Sequence, residues 1–309
     1  MSSQRKLINK KPKVAVHDGS FHADEIFAVA ILSMYLKKPL SIFRTRDDKV
    51  ISKMDYVLDV GTIYDPSKNR FDHHQENWNK KRDNGIIYAA CGLVWKEFGE
   101  KITGSKEIAG IVDRKIIQTI DAEDNGMNLW NLKIERVIPF CFADFLYSMN
   151  STYKEKKANT DSIFKKAVDI TVEMLGREIK RAGDYTSSLE EMREIYNDAV
   201  DKRIIVLEED YLWKDFFSSY PEPLFIIKPS SDKREGWYAY TVEEKGEKFK
   251  LRIEFPQTWA GKRNEELVKI SGIKGAIFCH NKRFMAAAST KEEAIALSKK
   301  ALSIYESKI

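Results

Sequence analysis

The sequence predicts an α/β protein: an N-terminal, doubly wound parallel-sheet domain, a helical connector, and a smaller α+β C-terminal domain. Three observations carry that reading. In the first half, short β-rich runs alternate with segments of helical periodicity, giving strands at 14–16, 42–44 and 56–60 and helices at 23–36, 86–98 and 105–120. From 160 to 203 the chain is charged, helix-favouring and free of proline, with Gly176 and Gly183 as candidate breaks. Beyond it, strands are expected at 204–207, 224–228, 237–242, 249–255, 276–280 and 284–288, and helices at 263–270 and 291–305. The expected division is a basic tail at 1–12, a first domain at 13–159, the connector at 160–203 and a substrate-binding domain at 204–309.

The bulk numbers agree with two cores. At 309 residues, 43% of them apolar, the chain is longer than one core usually organises. Its net charge of +5 does not by itself mark a nucleic-acid binder, so any basic surface must be local. The apolar run from Ile26 to Leu36 is interrupted by Ser33 and is too short to span a bilayer, which makes it a soluble helix. The first 13 residues carry several lysines and no apolar stretch, unlike a secretory signal; a cytoplasmic protein is expected, with no membrane association. Cys91, Cys141 and Cys279 are odd in number and lack paired spacing, so they read as small buried hydrophobes rather than a disulfide or zinc framework.

Four of the five histidines fall within the first 74 residues, in acid-rich segments. In Val14-Ala-Val-His17-Asp-Gly-Ser-Phe-His22-Ala-Asp24-Glu25, a buried strand ends at His17, and Asp24 stands where a helix begins. Ligands in open α/β sheets bind at the carboxyl ends of strands, where these side chains project. Taken alone, His17 could be a core histidine and Asp24 a helix cap. Tyr56-Val-Leu-Asp59-Val-Gly61 then places a carboxylate at the end of an apolar strand, where an uncompensated charge is costly. Arg70-Phe-Asp72-His73-His74-Gln75 sets three potential ligands in succession, and Ile120-Asp121-Ala-Glu-Asp124-Asn-Gly126 again ends an apolar segment in acids. Mixed carboxylate and imidazole donors without thiolate favour manganese or magnesium over structural zinc. The set is large enough for two ions about 3.5 to 4 Å apart, the spacing that suits hydrolysis of a phosphoester or phosphoanhydride.

These segments resemble the four motifs of the DHH phosphoesterase superfamily. More narrowly, the chain resembles the MYG-type exonuclease family in its His-x-Gly-x-Phe-His-x-Asp-Glu opening. The likeness extends through Asp59-Val-Gly, Tyr64-Asp-Pro, Phe71-Asp-His-His-Gln75, Gly92-Leu-Val, Trp213-Lys214, Trp259-Ala-Gly261, Ser271-Gly-Ile273 and Phe278-Cys-His280. The resemblance implies that His17 and His22 hold one metal, Asp24 and His73 a second, and that Asp59 bridges them. Asp121 would complete the second site, with Asp124 as the alternative. His74 would face the substrate phosphate and Asp72 would orient a histidine. His280 would touch substrate, with Arg252, Lys262, Arg263, Lys282 and Arg283 as nearby cations. Trp237 and Trp259 could stack on bases, although such residues are more often core. The chain departs from the family in Ala89-Ala90, where a serine pair is common, in Met149-Asn150, which replaces a longer Leu-Asn-Pro-x-Trp run, and in Ala286 and Ala287, where glycines are usual. The implied activity is metal-dependent exonucleolytic cleavage of single-stranded RNA, 3'-5' in direction. The alternatives are hydrolysis of short oligonucleotides, cyclic dinucleotides or pyrophosphate, and non-catalytic nucleic-acid binding.

Overall fold

The structure, a computed structural model, describes residues 11–131, 134, 137–155, 159–230, 236–247 and 249–307. The expected basic tail at 1–12 therefore lies outside the described residues except for Lys11 and Pro12. The chain divides into two compact units, residues 1–183 and 184–309.

Five strands build the sheet of the first unit: β1 (Lys13–Val16), β2 (Ser41–Arg44), β3 (Tyr56–Leu58), β4 (Tyr64–Asp65) and β5 (Arg70–Phe71). Their spatial order is β2-β1-β3-β5-β4, parallel except for the β4–β5 hairpin. Helix α1 (Ala23–Leu36) links β1 to β2, and the short α2 (Asp48–Ile51) links β2 to β3. Strand alternation separates two apolar faces. Val14 and Val16 join the main core with Phe27, Ile31, Leu58 and Phe71, whereas Ala15 and Val57 face a small cluster with Ile51, Met54 and Val60. Strands are added on one side of β1 with β2 and on the other with β3, so the carboxyl ends of β1 and β3 flank a topological switch point.

Helix α1 is buried from Ala23 to Leu32 because it packs between the sheet and α3 (Ala90–Thr103). The second helix was expected from residue 86, but α3 starts four residues later: residues 86–88 run alongside 80–82, with Tyr88 and Arg82 amides donating to Lys80 and Ile86 carbonyls. The stretch expected as one helix at 105–120 is α4 (Lys106–Val112), a π-helical turn (Asp113–Ile117) and α5 (Gln118–Asp124). The short α6 (Phe142–Ser148) had no periodicity long enough to announce it.

Neither Gly176 nor Gly183 breaks the connector, which is the single 39-residue helix α7 (Thr160–Asp198). Phe164, Val168 and Leu175 bury its first part in the main core, and packing overrides the weak propensity of two glycines. No helix among the described residues is long and apolar enough to cross a membrane.

The second unit is α+β. Strands β6 (Ile204–Val206), β7 (Phe225–Pro229), β8 (Trp237–Thr241), β9 (Ala276–Cys279) and β10 (Met285–Ala288) lie in the order β6-β7-β8-β10-β9, mostly antiparallel. Helix α8 (Lys214–Phe217) and Met192 and Tyr196 of α7 cover Ile205 and Ile226 on one face. Helices α9 (Asn264–Ser271) and α10 (Lys291–Glu306) supply Leu267, Leu297 and Ala301 to the core containing Phe225 and Ile227. The strand expected at 249–255 does not form. Phe249 adopts a left-handed φ of 66° and Leu251 makes one isolated bridge to Glu243, while Ile253 and Phe255 still point into the core.

Continuity of α7 through Gly176 has a measurable consequence. A Cβ at this position meets no atom within 4 Å and φ is not positive. Gly176→Ala should therefore stabilise by about 0.5–1 kcal/mol and raise the thermal midpoint by roughly 2–4 °C. A lowered midpoint would mean that the helix breaks there after all.

Candidate metal centre

The motif loops meet at the switch point. His17 follows β1, His22 precedes α1, Asp59 follows β3, and Asp72, His73 and His74 follow β5. Asp24, Glu25, Asp59, Asp72 and Asp121 are all buried carboxylates, an arrangement that folding tolerates only if each charge is answered.

Most are answered by fixed donors. Asp24 accepts the amides of Ala90 (3.0 Å) and Cys91 (2.6 Å), and Asp121 accepts that of Gly92 (2.8 Å), so the first turn of α3 grips two carboxylates with its free N–H groups. Gly92 is glycine because any Cβ would overlap the Asp121 carboxylate. Asp72 accepts the Thr62 amide (2.6 Å), the His74 amide (3.0 Å) and His74 Nδ1 (2.9 Å). Glu25 accepts the His22 amide at 3.0 Å and stands 3.0 Å from His17 Nε2. Burial lifts the carboxyls of Asp24 and Glu25 above their usual range, with the neighbouring acids Asp124 and Asp59 adding to the Asp24 shift.

Asp59 is different. It sits in the left-handed region (φ 56°) after β3, which turns its carboxylate into the midst of three imidazoles. Its Oδ2 is 3.5 Å from His17 Nε2, and its Oδ1 is 3.5 Å from His73 Nε2 and 3.3 Å from His74 Nδ1. Yet Asp59 Oδ1 and His73 Nε2 are both buried without a hydrogen bond. Against its burial, the surrounding histidines hold the Asp59 carboxyl down at about 2. His73 is raised to about 10 despite burial, by Asp124 and Asp59, and His74 to about 10 by Asp59 and Asp72. His17 Nδ1 lies 2.9 Å from the Asp18 carbonyl, which leaves Nε2 to face the Glu25 and Asp59 carboxylates. An unsatisfied oxygen and nitrogen facing one another among further acids fit a shared cation.

Donor atoms gather as His17, His22 and Glu25; as Asp59, His73 and His74; and as Asp24, His73 and Asp124. These groups could hold metal ions. The structure brings Asp124, not Asp121, to His73, with Oδ2 3.1 Å from Nε2. Asp121 instead pairs with Arg82 (2.6 Å), joins Asp24 and Cys91 in a deeper cluster, and does not line the cavity. Burial raises its carboxyl to about 7, with Arg82 opposing. Arg82 also pairs with Asp113 (2.8 Å) at the π-helical turn. Neither Arg82 nor Glu25 was among the expected site residues. Glu25 could have been found from its place one residue after Asp24, whereas Arg82 meets partners 31 and 39 residues away and carries no local signal.

In the second unit, the Arg252 guanidinium is buried against the carbonyls of Tyr220, Pro223 and Ser218. It braces the loop in place of the missing strand, contrary to its expected place on an open substrate face. Arg283 pairs with Glu254, Lys262 with Glu266 (3.1 Å), and Arg263 lies over the Phe278 ring at 4.1 Å. His280 Nδ1 accepts the Lys282 amide (3.1 Å), and the ring packs on Phe284. Trp259 is core, and Trp237 packs partly buried against that core.

Fold and site together define an α/β protein with a histidine- and aspartate-rich centre suited to divalent cations. The family model described as an uncharacterised protein family (UPF0160), MYG1 exonuclease type, matches residues 13–302, and the chain belongs to that family. The "MYG1 protein" of Dictyostelium discoideum is 30% identical, covering 94% of this chain and 96% of that protein. The "MYG1 exonuclease" of Bos taurus is 27% identical (94% and 84% covered), and the "MYG1 protein" of Chlamydia pneumoniae is 29% identical (90% and 92%).

Two outcomes follow from this geometry. Gly92→Ala should destabilise the first unit by about 1–3 kcal/mol or more, read by denaturant unfolding, because the Asp121 carboxylate has nowhere to move. A neutral substitution would mean that the α3 amides do not hold Asp121. Metal binding should also displace protons from His73. With its pKa raised from 6.5 to about 10, the metal-free fold holds extra stability below about pH 6.5 and loses it as pH rises through about 10. Apparent affinity for manganese should accordingly rise about tenfold per pH unit for each proton displaced, up to that point. A flat calorimetric profile between pH 6 and 9 would exclude His73 as a ligand.

Proposed function

We propose that the chain is a metal-dependent phosphodiester hydrolase of the DHH type that acts as an exonuclease on single-stranded RNA, working in the cytoplasm with two divalent ions, manganese foremost. The observation that carries this reading is the unsatisfied Asp59 oxygen among three imidazoles. The names of mammalian relatives as exonucleases support the nucleic-acid substrate.

The donor atoms are oxygen and imidazole nitrogen, matching a hard or borderline ion. Bound ions would polarise the phosphoryl group and lower the pKa of an attacking water. His17, His22, Asp24, Asp59, His73 and Asp124 would hold them, with Glu25 and the α3 amides fixing the ligands in place. His74 has a different task. Its side chain is 60% exposed and its Nδ1 is directed at Asp72, so Nε2 is left to donate to a phosphoryl oxygen. Asp59 and Asp72 keep that ring protonated, and a fixed positive donor acts on charge developing in the transition state. In the second unit, His280 and Lys282 would contact nucleic acid at that unit's own surface.

Asp59→Asn tests the assignment better than alanine, because asparagine tolerates the left-handed backbone. Manganese-dependent cleavage of RNA and of bis-p-nitrophenyl phosphate should fall by more than the roughly 10–100-fold typical of an outer-shell change, with the circular-dichroism melt preserved. Near-normal turnover would overturn the proposal. The adjacent histidines should separate: His73→Ala should lose bound metal by elemental analysis, whereas His74→Ala should keep metal and lose turnover. Equal metal loss in both would contradict the role given to His74.

A further inference from the structure

The cavity over the candidate metal centre, about 1230 Å³, carries two chemistries. His17, Asp24, Asp59, His73 and Asp124 make an ionic floor, while Leu129, Trp130 and Tyr147 stand on its walls with 38%, 44% and 55% of their surfaces open. Large apolar side chains left open on the walls of one cavity offer a surface for an apolar or aromatic group of a ligand.

These side chains are held, not loose. An Asx turn places Trp130, whose amide donates to Asn128 Oδ1 at 3.0 Å. The Asn150 side chain accepts the Phe21 amide (2.9 Å) and donates to the carbonyls of Phe21 (2.8 Å) and Tyr147 (3.0 Å). That clamp ties the end of α6 to the loop bearing His22. The Tyr147 ring then lies within 5° of parallel to the His22 ring, with centroids 6.1 Å apart.

Charge limits what can enter. Among the described residues, Arg46 is the one lysine or arginine lining the cavity, and it is already paired with Asp18. Asp48, Glu123 and Asp144 also line it. Among the described residues, no basic track runs from the floor to receive successive phosphates. One phosphodiester at the ionic floor with its base against the aromatic wall satisfies both chemistries, whereas a bare phosphate leaves the wall wet.

We propose that Trp130 and Tyr147 form a base-stacking platform that holds the terminal nucleobase of a single-stranded nucleic acid by its face, with the adjoining phosphodiester over the histidine–aspartate floor. This rests on the phosphodiesterase reading and adds the feature that confines cleavage to an unstacked end. Recognition through a ring face is tolerant of sequence and indifferent to base edges.

The test uses the full chain with manganese and two end-labelled RNA oligomers, one normal and one with abasic residues at both ends. The normal oligomer should be cut with a kcat/KM about 5- to 150-fold above the abasic one, since stacking of one base is worth about 1–3 kcal/mol. Trp130→Leu with Tyr147→Leu should bring that ratio towards one, and Tyr147→Phe should restore it where Tyr147→Leu does not, because the ring and not the hydroxyl is required. Equal cutting of both oligomers by the wild type, or an undiminished ratio in the double variant, overturns the platform. If neither oligomer is cut, the nuclease reading fails instead. Calorimetric binding of adenosine monophosphate against ribose 5-phosphate then decides the platform: a preference lost in the double variant upholds it, and equal binding ends it.

Discussion

Five buried carboxylates, two just after strands β3 and β5 and three on helices α1 and α5, are the constraint on which the first unit depends. Their mutual repulsion in a low-dielectric interior exceeds what ordinary packing can absorb, so every neighbouring element is recruited to answer it. The α3 amides take Asp24 and Asp121, Arg82 neutralises Asp121 a second time, and the Thr62 and His74 amides take Asp72. What remains is Asp59, with one oxygen left over and histidines around it. The residual demand for positive charge is thereby focused at one point.

The order of strands makes that focus possible. In a β2-β1-β3-β5-β4 sheet, the connections leaving β1 and β3 run opposite ways along the sheet, towards β2 and towards β4, and the gap between them admits side chains from both loops. Helix α1 begins in this gap, held by Glu25 to the His22 amide, and its acidic first turn is directed at the same place. The helix start serves fold and site together. Local rules are bent at the same spot: Asp59 takes a left-handed conformation, Gly92 gives up its side-chain volume, and a π-helical turn interrupts the helix before Asp121. Such departures from regular structure gather where chemistry is located.

What the sequence made legible follows from how far each signal reaches. Helix α1 could be read to its ends because a continuous apolar segment lies between a turn at Gly19 and the lysines after Leu36. The histidine and aspartate clusters were equally plain, since each is contiguous in the chain. Short strands β4 and β5, with two residues each, have no periodicity to detect. Gly176, a candidate break, stays helical because burial of Phe164, Val168 and Leu175 outweighs a local preference worth about 1 kcal/mol. The alternating 249–255 segment misled for the opposite reason: its inward residues do enter the core, but Phe249 turns the backbone out of the ladder. Scattered cations were the least legible. Arg252 looks the same in sequence whether it meets a phosphate or, as here, three carbonyls.

The contrast between Asp121 and Asp124 shows why spacing within one motif does not assign a ligand. Three residues apart at the end of one helix, the two side chains share a face, and either could complete the centre by reach alone. Their surroundings divide them. Arg82 and the Gly92 amide saturate Asp121 from behind, so directing it at a further cation would place two positive charges on one carboxylate within a dry site. Among the described residues, Asp124 has no such guanidinium partner, and it points at the unsatisfied His73 nitrogen. Asp121 then fixes the helix end that carries Asp124, and Arg82 acts on the centre through both, without touching any ligand that the ion would contact.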